Sequence, residues 1–333
     1  MKVNKKLIAF FALGIVIIFL LLEMLGLGEI IQILSTVNIY ILFLAFAVHL
    51  ATIGVLVLRI RSIAGPGPGI GLYTKTTFAG LFVNFITPIM KVGGEPVKIY
   101  MLKKKLGGSK ASAAVVLDTF VEILSSYITF FLVFVFFFFM IPGELIIYYV
   151  LFLVITLVSS IVFLKLSLTP HWLSRIFNFF IKKTTRFIKI EKKEYAKMFH
   201  DSFSTLLGNK KTMFSSLGFS LFGKILEFVR IWLIFMALGV NLPWPVIAVV
   251  WAFLLILLVI PWIPGGLGLI EAGTIAAFAL MGINIHIAAT AVFLDRIVWF
   301  WSVLFIGFVL SAKYTAEIKD SVNAKTYKTS AVQ

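Results

Sequence analysis

The 333-residue chain contains no cysteine, which excludes a disulfide scaffold, a Cys-ligated zinc site, an iron–sulfur cluster and thiol catalysis. Charge is also scarce. Asp, Glu, Lys and Arg make up 13% of the residues, where a soluble globular chain carries roughly a quarter. Acidic residues are the rarer sign, 14 against 30 Lys and Arg, giving a formal net charge of +16. So basic a balance usually points to nucleic acid, but a chain this apolar would precipitate before meeting any. The four histidines, His49, His171, His200 and His286, are too scattered for a metal site. No GxSxG, HExxH, Asp-x-Asp or P-loop pattern occurs, so nothing marks a nucleophile, a metal centre or a nucleotide cofactor. No metal, cofactor or enzymatic activity is expected, and a soluble enzyme, a secreted mini-protein and a transcription factor are excluded.

What remains is apolar surface: 61% hydrophobic residues, with 35 Phe. A membrane-spanning helix needs about 20 apolar residues. Runs of that kind cover Leu7–Leu25, Ile39–Leu58, Ala111–Met140, Leu145–Leu164, Met213–Leu238 and Ile287–Ala312. Two further stretches are interrupted. Gly71–Met101 is broken at Pro88 and at Gly93-Gly94-Glu95-Pro96, and Pro245–Met281 at Pro261, Pro264 and Gly265-Gly266-Leu267-Gly268. Proline removes a backbone donor and glycine weakens a helix, so each should form two half-helices meeting at an irregular break. The basic N-terminus before the first run resembles a signal peptide, but the run is long and no small-x-small cleavage site follows, so it is expected to be a retained helix.

Cations set orientation in a bilayer. Lys2, Lys5 and Lys6, Arg59 and Arg61, Lys103–Lys105 with Lys110, the Lys165–Lys211 connection and the tail after Lys313 fall in one set of segments. The other connections, Gly26–Asn38, Ile141–Glu144, Gly239–Trp244 and Gly282–His286, contain no Lys or Arg. The split works if the first broken stretch enters and leaves on the cytoplasmic side and the second on the outer side. The expectation is therefore an all-α polytopic membrane protein with about six full transmembrane helices and two re-entrant broken-helix hairpins, in the cell membrane, both termini cytoplasmic. The Lys165–Lys211 connection holds 11 Lys and Arg against Glu191, Glu194 and Asp201, a net +8. It reads either as an interfacial helix on anionic headgroups or as a solvated linker that enforces topology.

An internal repeat is present. Pro88 precedes Glu95 by seven residues, as Pro264 precedes Glu271. Each Glu is followed by a glycine, Gly107 or Gly282, and then by the similar runs Ala111–Asp118 and Ala288–Asp295. By the cation count the two helices run in opposite senses, so the halves, about 39–140 and 213–312, are antiparallel copies within one domain spanning 1–313, ahead of a polar tail, 314–333. Inverted repeats with broken helices are found in transporter cores, with sites where half-helices end.

Ionisable groups inside spans are costly and functional by default. Here they are Asp118, Glu122, Lys224, Glu227, Arg230, Asp295 and Arg296, with Lys91, Glu95, Lys98 and Glu271 at the hairpins. Asp118 and Glu122 are i, i+4 and share a helix face; Lys224, Glu227 and Arg230 roughly share another. The set is either a collection of neutralised pairs or a polar interior. As an interior, the candidate substrate-binding residues are Glu95, Lys98, Asp118, Glu122, Glu227, Arg230, Glu271, Asp295 and Arg296. The breaks at Pro88, Gly93, Gly94, Pro264, Gly265, Gly266 and Gly268 would present helix N-termini suited to phosphate, or would merely let backbones approach. His49 lies mid-span, where it would relay protons or simply bond into the packing.

The run Pro88-x4-Gly-Gly-Glu-Pro, then Tyr100 and Leu102, Leu117-Asp118, Pro264-Gly-Gly-Leu-Gly-Leu-Ile-Glu271 and Leu294-Asp295-Arg296 resembles the flippase-like membrane family typified by the transmembrane region of lysylphosphatidylglycerol synthase. The resemblance runs from about Lys6 to Lys313. It implies movement of lipids across the membrane and puts weight on Glu95, Asp118, Glu271 and Arg296. Family members move aminoacylated phosphatidylglycerol or are associated with polyprenyl-linked sugars. The family's soluble aminoacyl-transferase domain is expected to be absent here. The implied partners are membrane lipids with an anionic headgroup, and a homo-oligomer or a separate lipid-modifying enzyme; nucleic acid is not among them. An ion-coupled transporter of a small solute and a subunit of a lipid-modifying enzyme are the competing readings. On the binding reading, Arg296→Ala or Glu271→Gln should abolish transport at near-normal stability.

Overall fold

The computed structural model describes residues 19–86, 93–138, 201–259 and 266–309, with the isolated positions 16, 154 and 158. Most of the expected span Leu7–Leu25, all but two residues of Leu145–Leu164, the Lys165–Lys211 connection before residue 201 and the tail lie outside them. So do Pro88, Lys91, Pro261, Pro264 and Gly265.

Helices α1 (Leu27–Ser35), α2 (Ile39–Ala64), α3 (Ile70–Ile86), α4 (Glu95–Leu106) and α5 (Gly108–Phe138) make the first half. Helices α6 (Lys210–Ala237), α7 (Trp244–Val259), α8 (Leu269–Leu280) and α9 (Ile285–Arg296) make the second, α9 running on through a π-helical turn, Ile297–Trp301. Both interrupted stretches are indeed two helices with a break, α3/α4 and α7/α8. Each half thus reads long helix, two shorter helices, long helix. Asparagine side chains start α2, α6 and α9: Asn38 accepts from the N–H groups of Tyr40 and Ile41, Asn209 from Thr212, and Asn284 from His286 and Ile287. Such caps satisfy donors that a helix start leaves free.

Among the described residues, three stretches are long and apolar enough to cross a membrane, Ile39–Ala64, Gly108–Val135 and Ile285–Val309. Helix α6 has 28 residues, about 42 Å at 1.5 Å per residue, but carries Lys224, Glu227 and Arg230. The usual order of a soluble protein is reversed. Phe43, Phe214, Phe305 and Phe308 face outward, while Arg59, Lys98, Asp118, Lys224, Arg230, Glu271 and Arg296 are buried.

Helices α2 and α6 pack along each other as the central pair. The Asn38 N–H donates to the Ala237 carbonyl at 2.8 Å, tying the start of one to the end of the other, so they are antiparallel. At one end of the pair, Ile63 and Ala64 of α2 cluster with Tyr73 at the start of α3, Leu102 at the end of α4, Ala111 at the start of α5 and Phe203. At the other end, Leu233–Phe235 of α6 cluster with Ile247 of α7, Phe278 of α8 and Ala288 and Ala289 of α9. Helices α3 and α4 therefore form a hairpin based at one end, and α7 and α8 a hairpin based at the opposite end. Near the middle, Leu267 from the second break is buried among Phe78 and Phe85 of α3 and Phe300 and Val303 beyond α9. Burial of one such leucine is worth about 1.5–3 kcal/mol and holds the tip of the second hairpin against the first.

The described connections sort by charge in the same way. Those at the first end carry Arg61, Lys103–Lys105, Lys110, Lys210 and Lys211. Those around Val37, Leu238, Val240 and Ile283 at the other have no Lys or Arg. One expectation is corrected. Arg59 is not a cation of the basic connection: α2 continues to Ala64 and turns Arg59 inward, 5% exposed.

Candidate functional site

A cavity of about 270 Å³ lies between the two hairpins and the long helices of both halves. Its wall includes Arg59, Lys98, Lys224, Arg230 and Arg296 and, against them, Glu95, Asp118, Glu122, Glu227 and Asp295. Eight of the nine expected substrate-binding residues are in that wall. The exception is Glu271, which stands behind Arg296. Arg59 and Lys224 complete the set; neither is among the nine, although the sequence marks Lys224 as a charge within a span, whereas it places Arg59 in the basic connection. Its signal was its spacing from Arg61: residues two apart on a helix point some 200° apart, so one of the two had to face inward.

On the first-half side the charges are extensively paired. Asp118 and Glu122 project from one face of α5. Arg59 Nε donates to Asp118 Oδ1 at 2.7 Å, and its Nη1 to Glu122 and to Ser220 Oγ, the latter at 3.0 Å. Lys98 Nζ lies 3.2 Å from Glu95 Oε1 and 3.4 Å from Asp118 Oδ2. Lys224 Nζ donates to Glu122 Oε1 at 2.7 Å and sits 3.6 Å from Glu227 Oε1. The Trp251 indole donates to Glu227 Oε2 at 3.1 Å.

The second half repeats the central contact. Arg230 Nε donates to Asp295 Oδ1 at 2.8 Å and Nη2 to Oδ2 at 3.4 Å. In each half, then, an arginine on the first long helix grips the aspartate of the last, and these are the aspartates of the sequence repeat. Arg296 Nε is 2.7 Å from Glu271 Oε1. The other carboxylate oxygen, Oε2, accepts the Gly268 N–H at 2.7 Å. The halves differ in what is left over. Nη1 of Arg230 and both Nη atoms of Arg296 are buried and have no hydrogen-bond partner among the described residues. Both guanidinium groups lie over the Trp299 ring, at 5.9 Å and 5.6 Å from its centre. Trp299 is carried by the π-helical turn after Arg296, a local widening often found at functional sites.

The breaks use glycine for two different reasons. At Gly94, φ is −83°, open to any residue, but a Cβ there would collide with the backbone of Gly80 on α3. Gly94 is glycine because two backbones touch. At Gly268, φ is +86°, a conformation other side chains resist. Both N–H groups are already taken, Gly94 by Asn84 Oδ1 at 2.6 Å and Gly268 by Glu271. Glu95 and Glu271 also stand in the first turns of α4 and α8, where they complement the helix dipoles. These two glycine N–H groups, offered by the sequence as donors to phosphate, are satisfied from within; the unpaired donors are on arginine. His49 is 1% exposed, outside the cavity wall, and neither ring nitrogen has a hydrogen-bond partner among the described residues. No group of three or more His, Asp or Glu suited to a metal ion occurs among the described residues.

Residues 7–307 match the family described as lysylphosphatidylglycerol synthase TM region. The chain is also similar to a UPF0104 membrane protein of Pyrococcus horikoshii, 25% identical over 90% of this chain and 95% of that protein. A UPF0104 membrane protein of Methanocaldococcus jannaschii is 25% identical over 92% and 94% of the two chains. One from Methanothermobacter thermautotrophicus is 25% identical over 74% and 76%.

Proposed function

The chain belongs to the lysylphosphatidylglycerol synthase TM-region family, whose members span membranes, and on that footing we propose that it translocates lipids with an anionic headgroup between the leaflets of the cell membrane. The observation that carries this reading is the cavity: five cations and five carboxylates enclosed by helices whose outer surfaces are apolar. Charges inside a membrane protein are expensive, and a wall of both signs supplies polar contacts to a headgroup where hydrocarbon would supply none. Apolar wall residues such as Leu56, Leu81, Ile231 and Leu254 suit the first carbons of the attached chains.

In this reading the hairpins α3/α4 and α7/α8 re-enter the membrane from opposite faces and meet at its midplane. The end bearing Arg61, Lys103–Lys105 and Lys110 faces the cytoplasm, as the rule for cations in short connections requires. Asp118 and Asp295 then lie at similar depths from opposite surfaces. The halves 39–140 and 213–312 act as one domain, and the protein works on lipid without chemical conversion.

The test is leaflet exchange in reconstituted vesicles containing fluorescent phosphatidylglycerol, with the outer label quenched chemically. Vesicles with the protein should lose the label that protein-free vesicles protect. Folded protein that leaves the inner label protected for every lipid class tried would overturn the reading. Uptake of a soluble solute under an ion gradient, with no lipid exchange, would replace it by the ion-coupled alternative.

A further inference from the structure

The two halves repeat an Arg–Asp grip, yet they do not offer the same thing to a ligand. Arg59 commits Nε to Asp118 and Nη1 to Glu122 and Ser220. Arg230 and Arg296 each use Nε on a carboxylate of their own half and between them keep three Nη atoms unpaired. A buried donor without an acceptor costs free energy; Asp295 and Glu271 balance the two charges, and the three Nη atoms are left without acceptors. Both arginines line the cavity, and each Nη atom carries two N–H bonds. Their planar forks match the oxygens of a tetrahedral oxyanion.

We propose that Arg230 and Arg296, over the face of Trp299, form a phosphate seat in the second half of the repeat, whereas Nε and Nη1 of Arg59 are already committed to Asp118, Glu122 and Ser220. This deepens the translocation reading and rests on it for the source of the phosphate, which is a lipid headgroup; free phosphate carries the same chemistry. The seat's ligand is a phosphate ester with at least two unesterified oxygens. Occupancy is one per chain. Trp299 is a positioning residue: both guanidinium groups lie over its ring, at 5.9 Å and 5.6 Å from its centre.

The experiment uses the full chain in neutral detergent and reads thermal unfolding and 31P line broadening. One arm adds inorganic phosphate against chloride at equal ionic strength, and the other adds phosphatidylglycerol against a neutral diacylglycerol. Saturable stabilisation is expected in both phosphate arms. Arg296→Lys and Arg230→Lys should each weaken it about tenfold or more, the loss of one forked, charge-assisted contact. Trp299→Leu should weaken it to a smaller extent, whereas Arg61→Lys, outside the cavity wall, should leave the apparent affinity within about twofold. Equal loss in Arg61→Lys, or undiminished binding in the Arg230→Lys/Arg296→Lys protein, would overturn the seat. Where a variant does not fold, phenylglyoxal labelling of the wild-type chain decides. Phosphate should protect Arg230 and Arg296 and leave Arg61 unchanged; labelling that phosphate does not alter would refute the proposal. Stabilisation by phosphate without leaflet exchange would retain the seat and remove the translocation reading. Exchange that is indifferent to Arg230 and Arg296 would do the reverse.

Discussion

Replacing Glu271 by Gln changes one atom and almost no volume, yet the structure expects a large loss of stability. Glu271 is 0% exposed. One carboxylate oxygen is 2.7 Å from Arg296 Nε and the other accepts the Gly268 N–H at 2.7 Å. Glutamine keeps one acceptor and turns an NH2 donor toward the second site, donor against donor. It also leaves the buried Arg296 charge without its partner, which costs about 3–5 kcal/mol. The comparison is Glu227→Gln, whose side chain is 29% exposed and whose amide oxygen can still accept the Trp251 indole. That change should cost about 1 kcal/mol or less. Unfolding in mixed detergent, followed by the fluorescence of the seven tryptophans, measures both. Adding Arg296→Met to Glu271→Gln should recover about half of the loss, because no unpaired charge remains. A Glu271→Gln protein within about 1 kcal/mol of wild type, or a double variant that is simply additive, would refute the pairing. The sequence had suggested that this variant would lose transport at near-normal stability; with the carboxylate behind the cavity wall, both should fall.

Two further outcomes follow from backbone and charge placement. Gly94→Ala should destabilise the first hairpin by about 1–3 kcal/mol, since its Cβ meets the Gly80 backbone rather than a side chain that could move; Gly71→Ala, with nothing within 4 Å, should be neutral or slightly stabilising, and thermal unfolding compares them. Because the chain has no cysteine of its own, single cysteines at Lys104 and Met281 should label from opposite sides of sealed vesicles, whereas labelling from one side would refute the opposed hairpins.

Much of this architecture was legible because bilayer physics writes itself in large letters. Pro96 and the paired glycines marked the breaks, and cation-free connections marked one end. The identical spacing of Pro88–Glu95 and Pro264–Glu271 marked the repeat. Pairing was not legible. Arg230 had Glu227 one turn away and Asp295 sixty-five residues away, and geometry chose Asp295; Glu227 instead faces Lys224 and Trp251. Arg59 looked like a boundary cation because hydropathy locates the end of an apolar run, not the direction in which a side chain leaves the helix. The reason for Gly94 was likewise hidden, since its backbone conformation is ordinary and the constraint comes from Gly80, fourteen residues earlier.

The opposed hairpins leave the protein with an ambiguity that only its charged end resolves. The described halves follow the same helix order, long, short, short, long, so on the proposed topology packing alone does little to choose between the two orientations. The degeneracy is broken by Arg61, Lys103–Lys105, Lys110, Lys210 and Lys211, gathered at a single end. Carrying each across hydrocarbon costs about 2.5–3.5 kcal/mol, enough in sum to make insertion one-way. On the proposed topology, which half faces which compartment is decided by a handful of cations outside the cavity wall.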